Sequence, residues 1–122
     1  MDGLYHEQLL EEAKHPQNSG LLETYDVTVT EKNASCGDDI TVYIVWSADG
    51  THIQELKWQG HGCIISQAAM SVLSQRILDD QLSLDTLKHT TVTDMEQWLG
   101  ITDISPGRVK CLTLGLQALQ RL

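Results

Sequence analysis

Alternation of apolar and polar residues predicts a sheet in the first half of the chain. In residues 23–32, a tyrosine and two valines alternate with polar side chains, as expected of a half-buried strand. The same alternation returns in residues 40–46 and in residues 53–59. Asp49-Gly50 between them is a strong hairpin signal. We therefore predict a three-stranded antiparallel meander.

Strict alternation also assigns the side chains of the third strand to two faces. It places Ile53 on the same side as Glu55 and Lys57 and on the opposite side from Leu56 and Trp58. Gly60-His61-Gly62, directly after these residues, is expected to end the strand.

Helical spacing of apolar residues dominates the rest of the chain. The predicted helices span residues 4–14, 63–78, 83–88, 93–99 and 107–122. Gly100 is expected to end the fourth helix, and Ser105-Pro106 to open the last one. The order is a helix, three strands, then helices. We predict one α+β domain over residues 1–122, with a three-stranded antiparallel sheet packed against helices.

Charge and hydropathy narrow the class of protein. Seventeen acidic against eight basic residues give a net charge of −9 among 122 residues, which argues against nucleic-acid binding and suits a partner with a basic face. No apolar run reaches the length of about 18 residues that spans a membrane. The first twenty residues lack the basic start and apolar run of a signal peptide. We expect a cytoplasmic protein with no membrane partner.

The candidate chemistry lies in the cysteines, of which there are three. An odd number excludes complete disulfide pairing, and no CxxC pair is present. Cys36 and Asp38 flank Gly37 in a predicted turn, Cys63 lies where the third strand meets a helix, and Cys111 lies in the first turn or so of the last helix. A helix start favours the thiolate form of cysteine.

Two interpretations of these side chains stay open from spacing alone. Three thiolates and a carboxylate would suit tetrahedral Zn²⁺ or an iron–sulfur cluster. Alternatively, the cysteines are buried packing residues and Asp38 is an ordinary turn residue.

Four short motifs bear on this choice. They are His15-Pro16-x-Asn18-x-Gly20, Asn33-x-x-Cys36-Gly37-Asp38, Gly60-His61-Gly62-Cys63-x-Ile65-Ser66 and Arg108-Val109-Lys110-Cys111. Together, and in this order, they resemble the IscU/NifU N-terminal/SufU family of iron–sulfur cluster assembly proteins. The resemblance covers nearly the whole chain, and it implies a SufE/NifU-like α+β sandwich, in agreement with the predicted elements.

Within that family the chain is most similar to the SufU type. Lys110 stands directly before the last cysteine, where scaffold IscU proteins usually carry a histidine, and Gly60-His61-Gly62-Cys63 is also SufU-like. Two positions depart from the pattern. Ala34 stands where the family often has proline, and the segment 64–110 is shorter than in most SufU proteins.

The resemblance implies a ligand set and an activity. Zn²⁺ would be held by Cys36, Asp38, Cys63 and Cys111. Cys36 would accept persulfide sulfur from a pyridoxal-phosphate cysteine desulfurase, with Cys111 as the alternative acceptor. Lys110 would offset part of the negative charge of the site, and Arg108 is a second candidate for that role. The protein would then be a sulfur carrier rather than a stand-alone enzyme.

Two other functions remain on the same fold. The four ligands could hold a transient [2Fe–2S] cluster, so that the protein is a scaffold passing clusters to apoproteins. Alternatively, the zinc is purely structural and the domain is a binding module. For the first two functions, the expected partners are a cysteine desulfurase and downstream cluster-assembly or apo iron–sulfur proteins.

Overall fold

A computed structural model describes residues 3–33, 37–101 and 104–122, with side chains from Glu7 onward. The elements in chain order are α1 (Gly3–Lys14), β1 (Val27–Asn33), β2 (Asp38–Trp46), β3 (Ile53–His61), α2 (Ile64–Asp79), α3 (Leu84–His89), α4 (Val92–Leu99) and α5 (Pro106–Gln120). In the part of the chain so described, no helix has both the length and the apolar content needed to cross a membrane.

The sheet is the predicted antiparallel meander, with strand order β1-β2-β3. Helices α2 and α5 pack against the sheet and against each other. Ile40, Val42 and Ile44 on β2 are buried beneath them and join Leu73 and Leu112 in one apolar core. The predicted α+β fold, with helices packed against the sheet, is therefore confirmed.

The predicted face of Ile53 is wrong. Ile53 is buried together with Leu56 and Trp58, whereas Glu55 is exposed. The pairing of β2 with β3 shifts at Trp46, which pairs with Ile53, so that β3 has one extra residue at this point. Such a bulge reverses the alternation locally, and it brings Ile53 to the core side of the sheet.

Some predicted boundaries move by one or two residues. β3 continues through His61 instead of stopping at Gly60. Helix α4 begins at Val92, one residue before the predicted start, because Thr91 and Asp94 form a capping box with bonds of 3.2 and 2.9 Å. Gly100 ends this helix in the left-handed conformation, with φ of 71°, as predicted.

The segment after α1 covers the outer edge of β3. Trp58 N–H donates to the Asn18 carbonyl at 3.1 Å, and Gly20 N–H donates to the Trp58 carbonyl at 2.8 Å. The Trp58 indole N–H also donates to the Gln17 carbonyl at 2.8 Å. These bonds hold residues 17–20 beside β3 like a short additional strand.

Candidate metal centre

Three of the four predicted ligands meet at one end of the domain. One carboxylate oxygen of Asp38 and the Sγ atoms of Cys63 and Cys111 all lie within 4.8 Å of one another. They come from three elements: the start of β2, the residue that caps α2, and the body of α5. Residues separated by more than seventy positions in the chain thus form one cluster of metal-ligand type.

Asp38 is the first residue of β2 rather than a turn residue. Alternation along the strand places its side chain on the buried face, as for Ile40. Only 6% of Asp38 is exposed, and its Oδ2 atom has no hydrogen-bond partner among the described residues. Burying a charged carboxylate costs roughly several kcal/mol unless it is hydrogen-bonded, protonated or bound to a cation. The residues present therefore fit a bound cation.

Gly62 allows this carboxylate to lie beside the start of α2. A Cβ atom at position 62 would collide with the Ser66 hydroxyl and would lie 3.2 Å from the Oδ2 atom of Asp38. The Ser66 hydroxyl donates to the Cys63 carbonyl at 3.1 Å. The motif containing these residues was visible in the sequence, but the close approach that requires glycine was not.

Cys63 caps α2 with an extended backbone, and its side chain makes no capping bond. Burial raises the pKa of the Cys63 thiol. Hydrogen bonds from Ser66 N–H, from the Cys111 thiol and from Ile65 N–H outweigh burial, so the pKa of Cys63 lies below its ordinary value. Two of these donors, Ile65 N–H and Ser66 N–H, belong to the first turn of α2.

Cys111 lies deeper in its helix than the sequence indicated. Helix α5 begins at Pro106 after Ser105, which places Cys111 in the second turn rather than the first. Cys111 is only 4% exposed. One turn further along, a Cβ at Gly115 would collide with the Sδ atom of Met70, so α2 and α5 approach closely there. This close packing brings Cys111 to Cys63.

A cleft of about 360 Å³ opens over the cluster, lined by Asp38, Cys63, Ser105, Gly107, Arg108 and Cys111. Arg108 is exposed on the first turn of α5 and is the cation in this lining. Lys110 is also exposed but is not part of the lining. The electrostatic role expected of Lys110 therefore stays a prediction, and Arg108 is the better placed of the two.

Cys36, the fourth predicted ligand, lies outside the described residues. The residues on either side of it are described. Gly37 N–H donates to the Asn33 carbonyl at 2.9 Å, and Asn33 pairs with Asp38 across the β1–β2 ladder. Gly37 has φ of 76°, a conformation that glycine adopts without strain.

Comparison with known proteins gives the family. The family model of the NifU-like N-terminal domain matches residues 4–121, nearly the whole chain. The chain belongs to this family.

Curated relatives include two types of cluster-assembly protein. The chain is 29% identical over 136 aligned residues to the zinc-dependent sulfurtransferase SufU of Bacillus subtilis, covering 99% of this chain and 90% of the relative. It is 30% identical over 130 residues to the iron–sulfur cluster assembly scaffold protein IscU of Thermotoga maritima, covering 96% and 90%. Both alignments are longer than the 122-residue chain, so both relatives contain additional residues.

Solved structures agree on the fold. A cluster assembly scaffold protein for the SUF system from Fervidobacterium islandicum has a TM-score of 0.70 and 26% identity, over 94% of this chain and 93% of that one. The N-terminal part of a NifU-like protein from Brucella abortus has a TM-score of 0.78 over 96% and 90%. At 17% identity, the second similarity shows the fold alone.

Proposed function

We propose that this protein acts in iron–sulfur cluster assembly as a zinc-dependent sulfur carrier. The observation that carries the proposal is the cluster of Asp38, Cys63 and Cys111, with a buried carboxylate oxygen that has no partner among the described residues. Cys36 would complete the set, since chain connectivity keeps its Cα within about 7 Å of that of Asp38.

This donor set fits zinc. Structural and catalytic zinc sites use cysteine thiolates, histidine and carboxylates in a tetrahedral arrangement. Three thiolates and one carboxylate around Zn²⁺ leave a charge of about −2, which Arg108 at the cleft can partly offset. When bound, zinc would keep the coordinating thiols deprotonated at neutral pH and protect them from oxidation.

Cys36 is the proposed sulfur acceptor. Its thiolate would attack the terminal sulfur of a cysteine persulfide on the partner, a pyridoxal-phosphate cysteine desulfurase. A new S–S bond forms on Cys36 while the partner's S–S bond breaks, and the electron pair stays on the partner's cysteine as a thiolate. The exchange needs no external oxidant or reductant.

The other two cysteines are less suited to that role. Cys111 is almost completely buried, and Cys63 is half-buried where β3 meets α2. Cys36 is followed by Gly37, and the backbone freedom of glycine would let the Cys36 thiol leave the site. Cys111 remains the alternative acceptor, but it would have to become exposed first.

A transfer assay tests this assignment. The zinc-loaded protein is incubated with a cysteine desulfurase and cysteine, and mass spectrometry then locates the added sulfur atom. We expect the sulfur on Cys36 in the wild type and none on the chain in Cys36→Ala. Cys111→Ala is the matched variant, and sulfur on Cys36 in that protein would support the assignment. Sulfur that still appears on Cys111 in Cys36→Ala would contradict it.

A scaffold function is the second candidate, and the 30% identity to the Thermotoga maritima scaffold protein favours it. The same thiolates could hold a [2Fe–2S] cluster and pass it to an apoprotein. Purification without oxygen from iron-replete cells separates the two. About one zinc per chain and no visible absorption support sulfur transfer. Stoichiometric iron and sulfide with a visible spectrum support the scaffold instead.

A further inference from the structure

A groove runs between α1, α2 and α4. It has two connected parts, of about 320 and 370 Å³, that share Glu12, Val72 and Trp98. We call it the α1–α2–α4 groove. Its full lining is Gln8, Leu9, Glu11, Glu12, Val72, Gln75, Arg76, Asp79, Asp80, Trp98 and Leu99.

The floor of the groove is apolar. Leu9 and Leu99 are buried at 2% and 5% exposure, and Val72 and Trp98 are half-buried beside them. A segment lying in the groove would therefore contact aromatic and aliphatic surface and would not lie on hydrated charges alone.

The rim carries a strong excess of negative charge. Glu11, Glu12, Asp79 and Asp80 line the groove, and Arg76 is the single cation among the lining residues. Arg76 already pairs with Asp80, with 3.6 Å between Nη1 and Oδ2. Glu12 accepts a hydrogen bond from the Ser71 hydroxyl, so Glu11 and Asp79 are the carboxylates best placed to attract a cationic ligand.

One guanidinium group, that of Arg76, already lies in the groove. The Arg76 guanidinium lies over the Trp98 ring, 5.6 Å from its centroid. A guanidinium binds an indole face through the ring quadrupole, and its flat shape also stacks on the ring. Trp98 therefore offers a surface that suits arginine better than lysine.

We propose that the α1–α2–α4 groove docks a short, arginine-containing basic segment of a partner protein. The partner's arginine would take the position on Trp98 that Arg76 now occupies, while its other cations meet Glu11 and Asp79. At roughly 1.5 Å per helical residue, Arg76 lies about 20 Å along α2 from Cys63. Docking here would leave the metal centre accessible, so the proposal goes beyond sulfur transfer and does not depend on it.

Peptide binding to the zinc-loaded protein tests the proposal. The probes are short peptides of alternating alanine with arginine, lysine or glutamate. Binding is followed by NMR through the Trp98 indole N–H signal, assigned from the spectrum of Trp98→Phe. We expect the arginine peptide to shift this signal most, the lysine peptide less and the glutamate peptide not at all. Added salt should weaken the binding.

Matched variants distinguish the groove from general negative charge. Glu11→Gln/Asp79→Asn should weaken arginine-peptide binding about fivefold, because each exposed charge pair contributes modestly. Glu23→Gln/Glu55→Gln makes the same charge change at exposed residues outside the groove and should leave binding nearly unchanged. Arg76→Ala should tighten binding roughly threefold, since it removes the competing guanidinium.

Three outcomes would overturn the proposal. The first is equal loss of binding in the two double variants, which would indicate non-specific attraction. The second is weaker binding in Arg76→Ala. The third is self-association of the chain through this groove, detected by light scattering and abolished by Trp98→Phe. Zinc content should match the wild type in every variant, which keeps the test independent of the metal centre.

Discussion

Two polar clusters lie against the same helix, α2, and they differ in one respect. Near its start, Asp38 and Ser66 belong to the metal centre, and one oxygen of Asp38 has no partner among the described residues. Further along, Ser71 and Ser74 bond to the segment after α1. Gln17 N–H donates to the Ser71 hydroxyl at 2.8 Å.

The second group, which we call the serine cluster, is closed on itself. The Ser71 hydroxyl donates to the Glu12 carboxylate, and the Asn18 side-chain amide donates to the Ser74 hydroxyl at 3.1 Å. A satisfied network stabilises the fold, whereas an unsatisfied buried carboxylate destabilises it until a ligand binds. The difference separates the serine cluster, which is satisfied internally, from the candidate metal centre on the same helix.

Zinc itself should produce the largest effect on this contrast. At a free zinc concentration of about a thousand times Kd, binding should stabilise the fold by about 4 kcal/mol over the metal-free protein. Urea unfolding with zinc and with a chelator measures the difference. Removing zinc should accelerate hydrogen exchange at residues 60–63 more than at the serine cluster. An equal change in protection at both regions would contradict the difference between the two clusters. Cys63→Ala should abolish the stabilisation by zinc.

Gly62→Ala should be the most damaging single substitution near the metal centre. The new methyl group collides with Ser66 and crowds Asp38, which should cost about 1–3 kcal/mol and weaken zinc binding. Gly107→Ala adds a methyl group in the lining of the same cleft, but a Cβ there meets no atom within 4 Å, so it isolates the effect of the collision. In the first turn of α5 it should stabilise by about 0.5–1 kcal/mol. A zinc titration with a competing chelator compares the two affinities.

The effect of Asp38→Asn on the stability of the fold should change sign when zinc is bound. Without zinc, removing the buried charge should stabilise the fold by about 1–2 kcal/mol. With zinc, the variant should be less stable than the wild type, because it lacks a charged ligand. Urea unfolding in both conditions checks this. The same sign in both would show that Asp38 is an ordinary buried residue.

Ser71→Ala should have the smallest effect, and zinc should not alter it. The substitution removes two hydrogen bonds of the serine cluster and should cost about 1 kcal/mol in either condition. The same pair of unfolding measurements applies. A loss of stability in Ser71→Ala that appears only with zinc would show that the serine cluster and the candidate metal centre are coupled.

The helices and strands could be predicted from local sequence patterns, and the candidate metal centre could be predicted in part. The alternation in residues 40–46 predicts β2, and Asp49-Gly50 predicts the turn after it, because both signals are local. The cluster itself joins Asp38 to Cys111, and only the family motifs pointed to that contact.

What the sequence did not reveal depends on contacts between elements. The bulge at Ile53 puts this residue on the buried face in place of Gln54, and it arises from how β3 pairs with β2, which alternation within β3 alone does not show. The need for glycine at position 62 arises from Ser66 and Asp38, which belong to other elements. The contact of Arg76 with Trp98 joins two helices and has no local signature.

The short strand-like segment at residues 17–20 has a consequence for the exposed edge of the sheet. It occupies backbone groups of Trp58 on β3 that would otherwise be free to pair with another chain. This pairing joins segments about forty residues apart, so local contacts alone do not form it. A variant lacking residues 1–18 should expose this edge of β3, and we expect it to aggregate more readily than the full chain.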